Sequence, residues 1–128
     1  MSLFGYELHW EHHVGGVFLI PMSEFKELNG FSNMYWGWGK EDDDFSYRIR
    51  RSGREIIRRP GVFLHLDHPK ESMDFLKENE DRLEYVISNN YDISSEGLSD
   101  VKYTLQNRLT VEVNGIRFDH LMLDVGNK

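Results

Sequence analysis

Residues 31–44 read FSNMYWGWGKEDDD, and this stretch decides the local structure around it. Its first ten residues alternate large aromatic side chains with glycine, which predicts a loop with a mobile backbone and side chains that can bury much area against a ligand or neighbour. From Glu41 the pattern becomes helical, because acids fill the first turn, Phe45 and Ile49 are four positions apart, and arginines precede a capping Gly53. The sequence therefore predicts an aromatic loop that leads into an amphipathic helix.

Short elements are predicted before this stretch. The apolar run over residues 14–20 predicts a buried strand that ends at Pro21. Ser23 is placed to cap a short helix, and Asn29 followed by Gly30 predicts where that helix ends.

The remainder of the chain predicts two strand pieces, a helix and a hairpin. Residues 56–57 and 61–66 predict the strand pieces, and residues 72–89 predict a polar, weakly amphipathic helix. Beyond Gly97 the apolar period drops to two, and the Asn-Gly pair at 114–115 predicts an antiparallel β-hairpin. The fold class is therefore α/β, with a small mixed sheet, a C-terminal hairpin and two to three helices.

Length and charge exclude several classes of function. A chain of 128 residues predicts a single domain over 1–128. The net charge of −7 gives no electrostatic basis for sequence-independent binding of nucleic acid or anionic lipid. The sequence predicts no membrane span and no signal peptide. Cysteine is absent, so any metal must use nitrogen or oxygen ligands, while the cellular compartment stays open.

The acidic run Glu41-Asp-Asp-Asp44 is the first candidate site. The positive end of the helix dipole favours ionised carboxylates, whereas mutual repulsion opposes complete ionisation, so at least one could accept a proton near neutral pH. The alternative is a solvated acidic cluster in which Asp44 pairs with Arg48. The neighbouring Trp36 and Trp38 favour sugar recognition, because a pyranose offers an apolar face for stacking and hydroxyls that donate to carboxylates.

The run His65-Leu-Asp67-His68-Pro69 is the second candidate site. On a strand His65 and Asp67 share a face, whereas a turn at Pro69 would bring His65 and His68 together. Either pair gives two ligands for a divalent cation and needs others to complete the shell. The alternative is that these are surface or core histidines, since such spacings also arise by chance.

The glycine pair Gly15-Gly16 is the third feature. Glycine weakens a strand unless a ligand or another backbone comes close, so the pair predicts a pocket wall, with a simple bulge as the alternative. It is not a dinucleotide fingerprint, because no Gly-x-Gly-x-x-Gly is present.

Several blocks together resemble a known family. Val14-Gly-Gly-Val17, Leu28-Asn-Gly-Phe31, Tyr35-Trp-Gly-Trp-Gly-Lys-Glu-Asp-Asp-Asp44 and the arginine-rich helix ending in Gly53 resemble the C-terminal half of β-1,4-galactosyltransferases. The tail blocks at 96–103 and 121–124 look most like the branch that adds galactose to xylose. Related bacterial polysaccharide transferases share the His-Leu-x-His-Pro and Gly-Trp-Gly-x-Glu-Asp-Asp elements.

The resemblance implies part of a GT-A fold. It also implies an enzyme that transfers galactose from UDP-galactose to an acceptor saccharide, inverts the anomeric centre and uses Mn²⁺. It implies that Asp42 is the general base and that His65, with His68 or Asp67, binds the metal. The further implied roles are acceptor binding by Glu41, Asp43, Trp36, Trp38 and Tyr35, and a donor-sugar pocket formed by Gly15, Gly16 and Trp38.

Three expectations qualify this reading. The family's N-terminal nucleotide-binding half and its Asp-x-Asp motif are expected to be absent, so the chain alone should bind the donor weakly. An exposed sheet edge predicts self-association into a homo-oligomer. The rival functions are a non-catalytic carbohydrate-binding or interaction module and, less favoured, a metal-dependent hydrolase that has no role for the Trp loop.

Overall fold

A computed structural model describes residues 11–59 and 73–126. They form a small mixed α/β arrangement with a short 3₁₀ turn at Ile93–Ser95 ahead of the hairpin. The helices are α1 (Met22–Glu27), α2 (Glu41–Arg51) and α3 (Leu76–Ser88), and the strands are β1 (Thr104–Val113) and β2 (Ile116–Asp124).

The apolar core gathers around one face of α2. Phe45 and Ile49 project from that helix and are buried together with Val14 and Leu28. The Phe31 ring stacks on Phe45 with 4.4 Å between centroids, so the start of the aromatic loop is attached to the core. The i, i+4 apolar pair predicted on α2 therefore attaches this helix to the core.

The ends of the first two helices largely follow the sequence. Asn29 and Gly30 take left-handed conformations (φ 59° and 65°) and end α1 as predicted, and Gly53 (φ 77°) does so after α2. The predicted Ser23 cap is wrong, because Pro21 precedes α1 and no side chain caps it. Proline supplies a helix-compatible φ of −58° at that position, and its carbonyl accepts the first helical hydrogen bond.

The strand predicted over residues 14–20 is wrong. Gly16 turns the chain with φ 92°, and Val17 and Leu19 beyond it are 81% and 98% exposed. Residues 56–57 are likewise not in a strand. A strand needs a hydrogen-bonded neighbour, and the one sheet within the described ranges is the two-stranded hairpin. The strand predicted over 61–66 lies outside those ranges, and the helix predicted over 72–89 is observed as α3.

The hairpin confirms the period-two prediction. Val113 pairs with Ile116 across the turn, where Asn114 and Gly115 both have positive φ (52° and 77°), as in a two-residue primed turn. An irregularity between Leu105 and Asn107 shifts the register of β1. The side chains are exposed along both strands, so the apolar face of the hairpin is uncovered.

Candidate active site

The four consecutive acids at the start of α2 have different environments. Glu41 is exposed, Asp42 and Asp43 are partly buried, and Asp44 is fully buried. Asp42 Oδ1 accepts a hydrogen bond from the Asp43 amide at 2.8 Å, and Lys40 Nζ lies 3.3 Å from Asp43 Oδ2. One acid is thus held by a free amide of the helix N-terminus, and the next by a cation.

The second oxygen of Asp42 faces the Gly15 segment. His13 Nδ1 lies 3.9 Å from Asp42 Oδ2. A Cβ on Gly15 would overlap both this oxygen and the imidazole ring of His13. A Cβ on Gly16 would meet nothing within 4 Å, although its φ of 92° favours glycine there. The structure therefore brings Gly15 against Asp42 and leaves open space beside Gly16.

Asp44 is neutralised inside the fold. Its Oδ1 accepts from Arg48 Nε at 2.6 Å, and both side chains are completely buried. The predicted pairing is confirmed, but Asp44 is not solvated. Tyr35 donates its hydroxyl to Asp44 Oδ2 at 3.0 Å, and burial, followed by the nearby Asp44 charge, raises the pKa of Tyr35 well above its usual range. Tyr35 therefore acts as a neutral donor in the folded protein.

The aromatic loop is packed against α3. Trp36 is half-buried and Trp38 is 49% exposed. The carbonyls of both residues accept hydrogen bonds from the side chain of Asn79. The missing side chains of the loop glycines leave room for the start of α3, since a Cβ on Gly37 would lie 2.9 Å from Phe75. The mobility expected of this loop backbone stays a prediction.

A segment distant in sequence completes the surroundings of α2. Arg48 also binds the Glu96 carboxylate, and Glu96 accepts from the Asn33 amide at 2.8 Å. The Asn29 side chain donates to the Glu96 carbonyl at 2.9 Å and accepts from the Ser99 amide at 2.8 Å. Sequence reasoning missed Glu96 and Asn79 as structural partners of the site. Periodicity gives no signal for a buried polar contact across more than 40 residues.

A family model described as the N-terminal domain of galactosyltransferase matches residues 1–71, which is more than half of the chain. This chain belongs to the galactosyltransferase family. A xylosylprotein 4-β-galactosyltransferase from Caenorhabditis elegans is 35% identical over 114 residues, covering 84% of this chain and 39% of that relative. A β-1,4-galactosyltransferase 3 from Rattus norvegicus is 32% identical over 127 residues, covering 98% of this chain and 31% of that relative. This chain thus spans well under half the length of these relatives.

Solved galactosyltransferases share the fold. The catalytic domain of Drosophila β1,4-galactosyltransferase 7 in complex with xylobiose superimposes with a TM-score of 0.69 at 25% identity, covering 96% of this chain and 53% of that one. A mutant of the Drosophila protein in complex with manganese, UDP-Gal and xylobiose gives a TM-score of 0.72 at 23% identity. The predicted relation to a GT-A fold is confirmed.

The expected metal ligands of this family member, His65, Asp67 and His68, lie outside the described residues. Within residues 11–59 and 73–126 no three acidic or histidine side chains converge on one point.

In the same ranges no helix is long and apolar enough to cross a bilayer. An open groove of about 320 Å³ lies between Lys40 and α3, where Leu83 and Ile87 are among its lining residues.

Proposed function

We propose that this galactosyltransferase chain is the acceptor-binding and catalytic half, corresponding to the C-terminal half, of an inverting, metal-dependent transferase. Its substrates would be UDP-galactose and an acceptor saccharide. Family membership supports galactosyl transfer, and the Drosophila neighbour in complex with UDP-Gal and xylobiose supports this substrate class. Residues 1–128 would then form one domain.

The orientation of Asp42 carries the proposal. The Asp43 amide holds Oδ1 of Asp42, so Oδ2 is directed towards Gly15 and His13. A carboxylate fixed in this way can accept the proton of an acceptor hydroxyl as that oxygen attacks the anomeric carbon. Asp44 is a weaker candidate for this role, since it is buried and bound to Arg48.

The neighbouring side chains would bind the acceptor. Glu41 and Asp43 would accept hydrogen bonds from sugar hydroxyls, and the half-exposed Trp38 indole would stack on a pyranose face. Trp36 and Tyr35, which are both half-buried, would form part of the same acceptor-binding surface. Gly15, Gly16 and Trp38 would line the donor-sugar pocket.

Manganese would bind through His65 and either His68 or Asp67. A cation held there would supply positive charge that stabilises the diphosphate leaving group. The uncovered hairpin face supports the further expectation of self-association, which stays a prediction.

The test is Asp42→Asn in the protein that carries these residues. Asp81→Asn is the matched control, because the Asp81 side chain of α3 is exposed. Transfer from UDP-galactose to xylobiose in the presence of Mn²⁺ is followed by UDP release and by product mass. Asp42→Asn should slow turnover about 10²- to 10⁴-fold, the usual contribution of a general base, and leave UDP-galactose binding unchanged. The control should match the wild type.

Two results would overturn the proposal. Wild-type turnover in Asp42→Asn, or an equal loss of donor binding, would remove Asp42 as the base. Xylobiose binding without any transfer by the unmutated protein would instead select the carbohydrate-binding module.

A further inference from the structure

One side chain of α3 gathers the backbone of the Trp loop. Asn79 is 1% exposed, and its Nδ2 lies 2.8 Å from the Trp36 carbonyl oxygen, 3.0 Å from that of Gly39 and 3.4 Å from that of Trp38. The backbone N–H of Asn79 donates to the Phe75 carbonyl at 2.9 Å, so the residue is held in the first turns of α3.

The loop has the backbone that such a contact requires. Three carbonyls from four consecutive residues can face one amide group because Gly37, Gly39 and Lys40 have φ values of 64°, 102° and 80°. The beginning of α3 also fills the space that the glycines leave. A Cβ on Gly37 would lie 2.9 Å from Phe75, and one on Gly39 would lie 3.1 Å from Leu76.

We infer that Asn79 is a positioning residue that holds the Trp loop on α3 and so fixes where the Trp38 side chain is presented. This inference rests on the proposed function for its kinetic consequence. Asn79 acts through the loop backbone, whose Trp38 carbonyl is bound while the indole is half exposed. The same backbone continues through Lys40 into α2, which carries Asp42.

The chemistry of the contact makes Asn79→Asp the sharpest variant. Asparagine and aspartate have nearly the same shape, but a carboxylate has no hydrogen to donate, and a carboxyl kept protonated by burial has one where the amide has two. In either form an oxygen would face carbonyl oxygens of the loop. Asn89→Asp is the matched control, because Asn89 lies at the exposed end of α3 and its side chain donates to the Tyr85 carbonyl of the same helix. Asn79→Leu removes the donors without adding charge and serves if the aspartate variant does not fold.

The experiment has two readouts. Hydrogen exchange of the amides of residues 36–40 should become about tenfold faster in Asn79→Asp and Asn79→Leu, because loss of the contact lets the loop open locally. In the transfer assay the KM for xylobiose should rise about tenfold, since a displaced loop weakens acceptor positioning. The KM for UDP-galactose should rise less, because Gly15 and Gly16 would also line the donor-sugar pocket. Asn89→Asp should match the wild type in both.

The outcomes separate this inference from the proposed function. Wild-type exchange and wild-type acceptor KM in a folded Asn79 variant would overturn the positioning role. Faster exchange and weaker xylobiose binding, in a protein whose Asp42→Asn variant transfers normally, would support the positioning role and refute the catalytic one.

Discussion

Arg48→Met removes the cation from a buried ion-pair cluster. Arg48 binds Asp44 through Nε at 2.6 Å and binds the Glu96 carboxylate through Nη2. Its Nη1 also lies 3.2 Å from the Glu96 carbonyl and 3.4 Å from those of Gly30 and Ile93. Methionine can replace the aliphatic stem, but it donates no hydrogen bond, so two carboxylates lose their counterion.

The expected loss of unfolding free energy is about 3 kcal/mol. Removing one partner of a buried ion pair typically costs about 3–5 kcal/mol, because the other charge stays buried without compensation. The lower end applies here, since Asp44 keeps the Tyr35 hydroxyl and Glu96 keeps the Asn33 amide as donors. A domain is typically stable by about 5–15 kcal/mol, so this is a large fraction of the total.

Urea unfolding followed by far-UV circular dichroism measures the change. Arg50→Met is the matched control, because Arg50 lies on the same helix and is exposed, and it should shift stability by less than about 0.5 kcal/mol. Adding Asp44→Asn and Glu96→Gln to Arg48→Met should recover part of the loss by removing the stranded charges. An Arg48→Met protein within about 1 kcal/mol of the wild type would refute the view that this cluster holds α2 in place.

Three further perturbations test the site. The raised pKa of Tyr35 means that the folded state keeps a neutral phenol while the unfolded chain ionises, so stability should fall as pH rises above about 10. Tyr35→Phe should flatten that decline in urea titrations between pH 8 and 11, and parallel profiles would contradict the assignment. Gly15→Ala places a methyl group against Asp42 and His13, so kcat/KM should fall at least about tenfold, and unchanged kinetics would exclude close packing there. Trp38→Ala should raise the acceptor KM and lower kcat, and normal acceptor saturation would remove the indole from the binding surface.

Local patterns predicted those parts of the fold whose determinants lie within a few residues. The acids, the apolar pair Phe45 and Ile49 and the final glycine of α2 are all within 13 residues, and each acts through helix geometry alone. The Asn114-Gly115 turn similarly sets the hairpin register from two residues. The Asp44–Arg48 pair was predictable for the same reason, as an i, i+4 contact.

Contacts distant in sequence were not predictable. The apolar run at 14–20 satisfies the pattern of a buried strand, but pattern alone does not supply a hydrogen-bonded neighbour, and Gly16 bends the chain with a positive φ. Asp44 is buried in a cluster whose other members are distant in sequence. Arg48 binds the Glu96 carboxylate, and Glu96 also accepts a hydrogen bond from the Asn33 amide. The role of Asn79 depends on Gly37 and Gly39, about 40 residues earlier. The sequence shows that these residues have no side chains, but it does not show that the start of α3 fills the space.

The same cluster links the stability of the fold to the proposed chemistry. Arg48 joins α2 to the Glu96 segment, whereas Asp42 is oriented by the Asp43 amide at the start of that helix. If α2 shifts, the Asp42 oxygen that faces Gly15 shifts with it, since the helix moves as a rigid unit. Arg48→Met should therefore lower kcat even at temperatures where the protein remains folded, whereas Arg50→Met should not. A folded Arg48→Met protein with wild-type kcat would show that the Asp43 amide and Gly15 orient Asp42 without the buried cluster.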